Sequence, residues 1–296
     1  MEIMLRLDWR APSIGWTGEN SLGSDTSPVN LYLLRDKYHT EVAEHEGVLF
    51  RRYAGSNINR QGYGFPLSAA PFDLGKALAA LRCDARERGE SLRFCLCDEK
   101  QRKALDEFCA IHWKSCSGDS DYIYKRESLA KLSGRKLHRK KNHVNHFWRL
   151  YPEAEYLPLT AERLPDALRV ARQWMMERQD METSAQGEWA CIQEAASHWD
   201  ALGMMGGVLY VDGEPVAMTM VSASSPQCLD VHFEKATGVF AADGAFSVVN
   251  QCFAASEEAR AFAYINREED LGIEGLKKAK ESYQPCLKLE KYYGSV

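Results

Sequence analysis

The sequence predicts an α+β fold with two units, each a mixed, mostly antiparallel sheet flanked by helices. Leu229, Val231 and Phe233 alternate with polar residues over Cys228–Lys235, a period that indicates a half-buried strand. A helix with apolar residues at helical spacing follows, and a second strand comes at 262–265. A helical crossover between two strands favours parallel pairing. The first half of the chain repeats this order of elements, which predicts a second unit of similar architecture.

In the first half, the pattern gives a hairpin followed by strands and helices in alternation. Leu74, Leu78 and Leu81 share one face of a helix that Gly89 is placed to end. The predicted ranges are a helix at 30–38, a hairpin at 40–53, a strand at 63–67, a helix at 73–89, a strand at 91–97 and a helix at 98–109.

In the second half, two helices precede a run of strands. Asp212-Gly213 suits a hairpin turn because both residues accept positive φ. The predicted ranges are helices at 160–180 and 187–204, a hairpin at 206–224, a strand at 228–235, a loop at 237–245, a helix from 246, a strand at 262–265, a helix at 272–282 and a strand at 287–291.

A basic stretch separates the two halves. No acidic residue occurs between Glu127 and Glu153, and the stretch predicts a helix that presents cations to an anionic partner. The candidate contact residues are Arg135, Lys136, Arg139, Lys140 and Asn142. A solvated linker helix explains the same composition. We therefore expect an N-terminal domain over 1–130, a basic linker helix over 131–153 and a C-terminal domain over 154–296.

Composition narrows the class of protein. The chain has 296 residues, a formal net charge of -5 and nine scattered cysteines without a paired C-x-x-C. Mild acidity disfavours a general nucleic-acid coat protein, and no apolar run approaches the ~20 residues of a membrane span. The stretch 1–4 does not start a signal peptide, so we expect a cytoplasmic protein with reduced cysteines. His138, His143 and His146 lack metal-ligand spacing, and we predict no metal site.

The order of elements in the second half resembles the GCN5-related N-acetyltransferase fold. That order is two helices, a three-strand meander, a loop, a helix, a strand, a helix and a last strand, and the phrase VDGEPVA is typical of the fold. Three segments together resemble the phosphatidylglycerol lysyltransferase C-terminal-domain family. They are YIYKRESLAKLSGRKLHRKKNHVNHF, YINREEDLGIEGLKKAKESYQPCLKLEKY and NLYLLRDKYHTEVAEHEGVLFRRY. That resemblance implies tandem acetyltransferase-like domains with a distant similarity to the Fem aminoacyltransferases, which use aminoacyl-tRNA.

Acyl transfer requires a base that deprotonates the acceptor, groups that stabilise the oxyanion and a site that binds the phosphates of the donor. Glu234, on the polar side of its predicted strand, and Glu268, after the next strand, are the candidate bases. Glu269 and Asp270 lie beside Glu268, and mutual repulsion is expected to raise their pKa values. Glu269 also suits a cationic acceptor. Capping of the helix that follows is the alternative explanation of these acids, and it suits Asp270 better than Glu268.

Other candidates come from the resemblance and from strand position. Ala279-Lys280-Glu281-Ser282-Tyr283 resembles the Fem motif Phe-Lys-x-Gly-Phe, which implies an electrophilic or phosphate-binding role for Lys280. A solvated lysine fits the same pattern. Tyr283 is a candidate proton donor, although a packed tyrosine is the commoner outcome. Tyr264 and Asn266 share one face of their strand and are candidate substrate contacts.

The donor depends on the loop before the helix at 246. Acyl-CoA enzymes of this fold hold the pyrophosphate on backbone amides of a Gln/Arg-x-x-Gly-x-Gly/Ala loop at a helix N-terminus. Only Gly244 and Ala245 fit the end of that pattern, while Val239 and Ala242 replace its basic residue and first glycine. The departure favours aminoacyl-tRNA over acyl-CoA as donor.

The sequence therefore predicts an acyl- or aminoacyltransferase that uses aminoacyl-tRNA and an amine or hydroxyl acceptor. The alternatives are an acyl-CoA-dependent N-acyltransferase and a non-catalytic relative of the fold. The latter would bind RNA or an anionic lipid headgroup through the basic stretch.

Overall fold

The computed structural model describes residues 6–14, 21–177 and 182–296. The helices are α1 (Pro28–Leu33), α2 (Arg35–Tyr38), α3 (Leu74–Glu87), α4 (Glu99–Asp106), α5 (Arg126–Lys131), α6 (His138–Leu150), α7 (Leu164–Met176), α8 (Glu182–Ser197), α9 (Gly238–Asp243), α10 (Ala245–Ala255) and α11 (Glu274–Glu281). The strands are β1 (Glu41–His45), β2 (Val48–Ala54), β3 (Gln61–Tyr63), β4 (Arg93–Cys97), β5 (His112–Ser115), β6 (Asp121–Lys125), β7 (Glu155–Pro158), β8 (Met205–Val211), β9 (Glu214–Ser225), β10 (Cys228–Ala236), β11 (Tyr264–Asn266), β12 (Leu287–Leu289) and β13 (Tyr292–Ser295).

Most predicted elements are present with shifted ends. Asp98 begins α4 through a capping box with Gln101, and Ser27 accepts from the Asn30 amide at the start of α1. Positive φ at Asp212 and Gly213 closes the β8–β9 hairpin as expected. The helix predicted over 160–180 begins at Leu164 and ends at Met176, and its last residues lie outside the described ranges.

The strands form two sheets. The first has the order β1-β2-β3-β4-β13-β5, and the second has the order β12-β6-β11-β10-β9-β8-β7. In the second sheet β10 and β11 are parallel, as the helical crossover predicts, and their other neighbours are antiparallel.

Strand pairing does not follow the expected domain boundaries. β6 lies within the expected N-terminal unit but pairs with β11 and β12 of the second sheet. β13, at the C-terminus, pairs with β4 and β5 of the first sheet. Each sheet thus takes a strand from the opposite half of the chain. The pattern along the sequence does not show this exchange because pairing partners are chosen by tertiary packing.

The second sheet is covered by helices on both faces. Leu229 and Val231 of β10 pack with α10 and with Phe147 of α6, whereas Phe233 packs with α1, α7 and α8. β10 is therefore buried on both sides, and the expectation of a half-buried strand is wrong. α6 is not a free linker either, because Val144 and Phe147 bury one stripe of it in the core.

A β-bulge at His232 changes which side each residue of β10 faces. Val231 pairs with Val221 and Phe233 pairs with Met220, so His232 is one extra residue on β10. Strict alternation would put Asp230, His232 and Glu234 on one face. Instead, Asp230 and His232 contact Asn30 on the α1 side, and Glu234 contacts Asn250 on the α10 side. The bulge thus divides the polar residues of one strand between two faces.

The segment at 237–245, expected as a loop, contains the short helix α9. Within the described ranges, no helix has both the length and the apolar character needed to cross a membrane.

Candidate functional site

Polar side chains form two clusters on opposite faces of the second sheet. The α10-side cluster consists of Lys140, Glu234, Ser247, Asn250, Arg267 and Tyr283. The α1-side cluster consists of Asn30, Ser222, Asp230, His232 and Glu268. Pairing between β10 and β11 ends at Asp230 and Asn266, and β10 continues six residues further to Ala236. Arg267, the first residue after β11, and Glu234 then face each other from the two strands.

An ion pair forms the centre of the α10-side cluster. The Arg267 Nη2 atom donates to Glu234 Oε1 at 2.7 Å, and Asn250 Nδ2 donates to Glu234 Oε2 at 2.9 Å. Burial acts to lower the pKa of Arg267, but Glu234, Tyr283 and Tyr124 together outweigh it and the pKa is raised. Arg267 Nη1 and Asn250 Oδ1 are buried and have no hydrogen-bond partner among the described residues. Both groups thus have hydrogen-bonding capacity that no described residue uses.

Tyr283 and Lys140 complete this cluster. The Tyr283 hydroxyl donates to Ser247 Oγ at 2.9 Å, and burial raises the tyrosine pKa. Lys140 Nζ lies 4.3 Å from the centre of the Tyr283 ring, and the Arg267 guanidinium lies 4.8 Å from the same ring. Partial burial, reinforced by repulsion from Arg267, lowers the pKa of Lys140. Lys140 therefore carries positive charge from the basic helix into the cluster.

The α1-side cluster is rich in carboxylates. Asn30 Nδ2 donates to Asp230 Oδ2 at 3.1 Å and to Glu268 Oε1 at 2.9 Å. His232 Nδ1 lies 3.2 Å from Asn30 Oδ1, and His232 Nε2 lies 2.7 Å from Ser222 Oγ. Burial and the nearby Glu268 raise the pKa of Asp230 well above its ordinary value. This side of the sheet thus brings two acidic groups close together.

The segment 267–270 connects the clusters and sends its side chains in different directions. Glu268 has a φ of 56°, and Asn266 Oδ1 accepts its amide hydrogen at 2.6 Å. A non-glycine residue in this region stores backbone strain, a common feature of functional sites. The buried Lys280 ammonium donates to the carbonyl oxygens of Arg267 and Glu269, and these two hydrogen bonds hold the backbone of the segment in place. Burial lowers the pKa of Lys280.

The acids of this segment do not act as a mutually repelling group. Glu269 Oε1 accepts from Arg60 Nη2 at 2.6 Å, and Asp270 accepts from the Tyr122 hydroxyl and the Gly272 amide. Burial acts to raise the pKa of Glu269, but Arg60, a backbone hydrogen bond and Lys280 together outweigh it and the pKa is lowered. The expectation that all three acids raise one another's pKa is therefore wrong for Glu269. The main cause is an arginine from the first half of the chain.

A small pocket opens between the two sheets beside the α1-side cluster. Glu268 and Glu269 line it together with residues from the first half, among them Tyr53 and Arg60. Nearby, Lys291 forms an ion pair with Asp25, and its Nζ lies 3.5 Å from Asp121 Oδ2. The pocket wall is thus built from both sheets and is strongly charged.

The predicted basic surface lies on α6 and on the turn before it. Arg135, Lys136 and Arg139 are exposed, and within the described part of the chain none has a carboxylate oxygen within 4.0 Å. Asn142 is also exposed, and its Nδ2 atom lies 3.4 Å from His138 Nδ1. Among these candidates Lys140 alone has a described contact with the α10-side cluster.

The remaining candidates lie apart from the α10-side cluster. Asn266 is fully buried and donates to Asp121 and to the Leu22 carbonyl, while Tyr264 is half-buried on the same strand. Gly244 and Ala245 are buried, and a Cβ on Gly244 would lie 3.3 Å from the His143 carbonyl oxygen of α6. The start of this helix is therefore packed against α6, and the Gly244 amide donates to the Phe240 carbonyl.

Sequence reasoning missed several residues of both clusters. Arg267 and Asn250 were not proposed, although Ser247 and Asn250 stand three apart on the otherwise apolar α10, which is a readable signal. His232 was seen only as one member of an alternating strand. Asn30 has no such signal, because its contact with Asp230 spans 200 residues.

The architecture and the position of the clusters define the class of protein. The chain is an α+β protein with two tandem GCN5-related N-acetyltransferase-like domains. The family model described as "Phosphatidylglycerol lysyltransferase, C-terminal" matches residues 19–294, and the chain belongs to this family. It is thus a member of an acyl- or aminoacyltransferase family, which confirms the resemblance seen in the sequence. No curated protein matched the sequence significantly.

Solved structures agree with this assignment. A conserved protein of unknown function from Bacteroides thetaiotaomicron is 31% identical, with a TM-score of 0.89 over 98% of this chain and 99% of that one. L-PGS from Bacillus licheniformis is 14% identical, with a TM-score of 0.64 over 94% and 87%. A tandem GNAT protein from the clavulanic acid biosynthesis pathway is 8% identical, with a TM-score of 0.50 over 94% and 90%. The last two likenesses concern the fold alone.

Proposed function

We propose that the protein transfers an aminoacyl group from aminoacyl-tRNA to an amine or hydroxyl acceptor at the α10-side cluster. The observation that carries this proposal is the position of Lys140. Its side chain joins the exposed basic surface of α6 to the buried pair of Arg267 and Glu234. A polyanion on that surface would have its terminal ester beside a buried arginine with a free N–H group.

The transfer step follows from the groups present. The acceptor nitrogen or oxygen attacks the ester carbonyl carbon, and the bond between that carbon and the ribose oxygen breaks. Arg267 Nη1, which lacks a partner among the described residues, donates to the oxyanion that develops. Glu234 Oε2 takes the proton from the acceptor, and the proton then passes to the ribose oxygen that leaves. Asn250 Oδ1 accepts a hydrogen bond from the incoming amine or hydroxyl.

Two observations support aminoacyl-tRNA over acyl-CoA as donor. The amides at Gly244 and Ala245, where this fold can hold a pyrophosphate, are buried against α6. The family description names a lysyl transfer to phosphatidylglycerol, an acceptor with free hydroxyls. We therefore assign the exposed cations of α6 to tRNA phosphates, with the acceptor entering from elsewhere.

The test is consumption of charged tRNA. The full-length protein is incubated with a pool of aminoacyl-tRNAs and either vesicles that contain phosphatidylglycerol or a panel of small amines, and each aminoacyl species is followed. Loss of one species together with a new ester or amide product is the expected result. If no species is consumed with any acceptor while a calorimetric titration shows acyl-CoA binding, the acyl-CoA alternative replaces the proposal.

Matched variants separate chemistry from binding. Arg267→Lys keeps a positive charge for Glu234 but removes the free guanidinium donor, so we expect the rate of transfer to fall by ~10²-fold. Lys136→Glu with Arg139→Glu should weaken tRNA binding. The control is Lys103→Glu, which reverses an exposed charge on α4. If Arg267→Lys preserves the biological role and the α6 variant abolishes it, the protein is a non-catalytic RNA-binding relative.

A further inference from the structure

The two carboxylates of the α1-side cluster have the Lys280 ammonium in their surroundings but form no ion pair with it. Within the described ranges, no lysine or arginine nitrogen lies within 4.0 Å of Asp230 or Glu268, and only His232 Nδ1 approaches them. Every other acid around the pocket that was discussed above has a partner: Asp25 and Asp121 have Lys291, and Glu269 has Arg60. The imbalance is confined to this cluster.

One oxygen of the cluster is also left without a hydrogen bond. Asp230 is fully buried, and its Oδ1 atom has no partner among the residues that the structure describes. A buried carboxylate oxygen without a donor is costly. Such an atom calls for a partner, and a bound cation would supply one.

We propose that Asp230, His232 and Glu268 bind a divalent transition-metal ion such as Zn²⁺ or Mn²⁺. One atom from each lies within 4.8 Å of the others. His232 Nδ1 is 3.9 Å from Asp230 Oδ2 and 3.6 Å from Glu268 Oε1. Ligand atoms around a tetrahedral ion with bonds of about 2.1 Å lie about 3.4 Å apart, so the three ligand atoms must move closer together and the Asn30 amide nitrogen, which donates to both carboxylates, must turn away. One imidazole and two carboxylates suit these ions better than Ca²⁺, which prefers oxygen alone.

The neighbouring groups support the same assignment. Ser222 Oγ, 2.7 Å from His232 Nε2, can accept the proton of that nitrogen, which leaves the Nδ1 lone pair for the metal. Asn30 Oδ1, 3.2 Å from Nδ1, can supply a further oxygen. The bulge at His232 and the left-handed backbone at Glu268 orient these two side chains toward the cluster, so local backbone geometry positions two of the three ligands. Glu268 lines the pocket between the sheets, which gives the ion a path of entry.

These residues differ from the histidines of α6, whose spacing predicts no metal. The ligands come from β10 and from the segment after β11, and Asn30 comes from α1. A bound ion would therefore join the first part of the chain to the centre of the second sheet. The site lies on the opposite face from Arg267 and Glu234, so it does not depend on the proposed transfer reaction.

Direct metal binding tests the proposal. The purified full-length protein is treated with a chelator, dialysed and titrated calorimetrically with Zn²⁺ and Mn²⁺. One ion per chain should bind, and the melting temperature should rise with metal concentration. The Co²⁺ form should show absorption bands without a thiolate charge-transfer band, which excludes cysteine ligands.

Variants locate the ion. Asp230→Asn and His232→Gln should each weaken binding by more than ~100-fold, and Ser222→Ala, which keeps all ligands, should weaken it by ~10-fold. The matched control His143→Gln, on the surface of α6, should bind like the wild type. The proposal is overturned if no ion binds at millimolar concentration, if binding survives in Asp230→Asn, or if His143→Gln removes it. Circular dichroism of each variant checks the fold, and Ser222→Ala remains informative if a ligand variant fails to fold.

Discussion

The two faces of the second sheet carry clusters of opposite character. On the α10 side, an arginine has one nitrogen paired with Glu234 and the other without a partner among the described residues. On the α1 side, a carboxylate has one oxygen bonded to Asn30 and the other without a described partner. Arg267 and Glu268 are adjacent in sequence yet serve different clusters. Neighbouring residues thus supply opposite charges to two separate sites.

The largest loss of stability is expected when the α10-side ion pair between Arg267 and Glu234 is broken. Arg267→Met leaves Glu234 buried without its cation, so we expect the free energy of unfolding to fall by ~3–5 kcal/mol. Urea denaturation measures the change. The double variant Arg267→Met with Glu234→Leu should recover much of the loss, because no uncompensated charge remains. A single variant as stable as the wild type would contradict the buried pair.

The next test affects both clusters through their shared segment. Lys280→Met removes the ammonium that donates to the Arg267 and Glu269 carbonyls, and two lost charged hydrogen bonds should cost ~2–3 kcal/mol. Hydrogen exchange should rise over 267–270. Lys278→Met, an exposed lysine on the same helix, is the control and should change stability by less than ~0.5 kcal/mol. Equal effects of the two variants would assign Lys280 to the surface.

On the α1 side, the expected change in the free energy of unfolding has the opposite sign. In the presence of chelator, Asp230→Asn removes a buried carboxylate that lacks a cation, so stability should rise by about 1 kcal/mol at neutral pH. Thermal denaturation of both proteins with chelator measures the difference. A loss of stability instead would mean that the ionised form of Asp230 is already compensated, and the contrast between the faces would disappear.

The smallest effect concerns Lys140. Its lowered pKa means that the ammonium loses its proton at a lower pH than an ordinary lysine, so its contribution to RNA binding should fade as pH rises toward that value. Lys140→Arg should remove this part of the pH dependence. Lys140→Ala should reduce the slope of log affinity against log salt by ~1. Filter binding of tRNA across pH and salt gives both numbers, and an unchanged slope would place Lys140 outside the RNA surface.

The sequence predicts much of the fold because local signals specify it. Alternation, the Asp212-Gly213 turn and the leucines of α3 each depend on nearby residues. The exchange of β6 and β13 between sheets depends on pairing across the whole chain, and no local pattern reports it. For the site, Glu234 and Tyr283 were named and come together with Lys140. The arginine between them was missed because nothing in the sequence shows where the two parallel strands separate.

Lys280 shows the limit of a motif. The similarity to the Fem sequence implies that Lys280 contacts the substrate. The residue is indeed important locally, because it holds the segment 267–270 that follows β11. Its ammonium, however, is buried and occupied by two backbone carbonyls. A motif can identify a position that matters without showing whether the side chain faces a ligand or the protein itself.

The extra residue at position 232 has a consequence for how this strand can be changed. In a regular strand, two positions of equal parity share a face and must suit the same surroundings. Across the bulge that parity is reversed, so substitutions at Asp230 and Glu234 should act independently although only three residues separate them. Deleting residue 232 would remove the bulge and leave Asp230 and Glu234 three positions apart, so the two carboxylates would stay on opposite faces and only the imidazole would be lost. The extra residue therefore lets one strand supply a third polar side chain to these two environments.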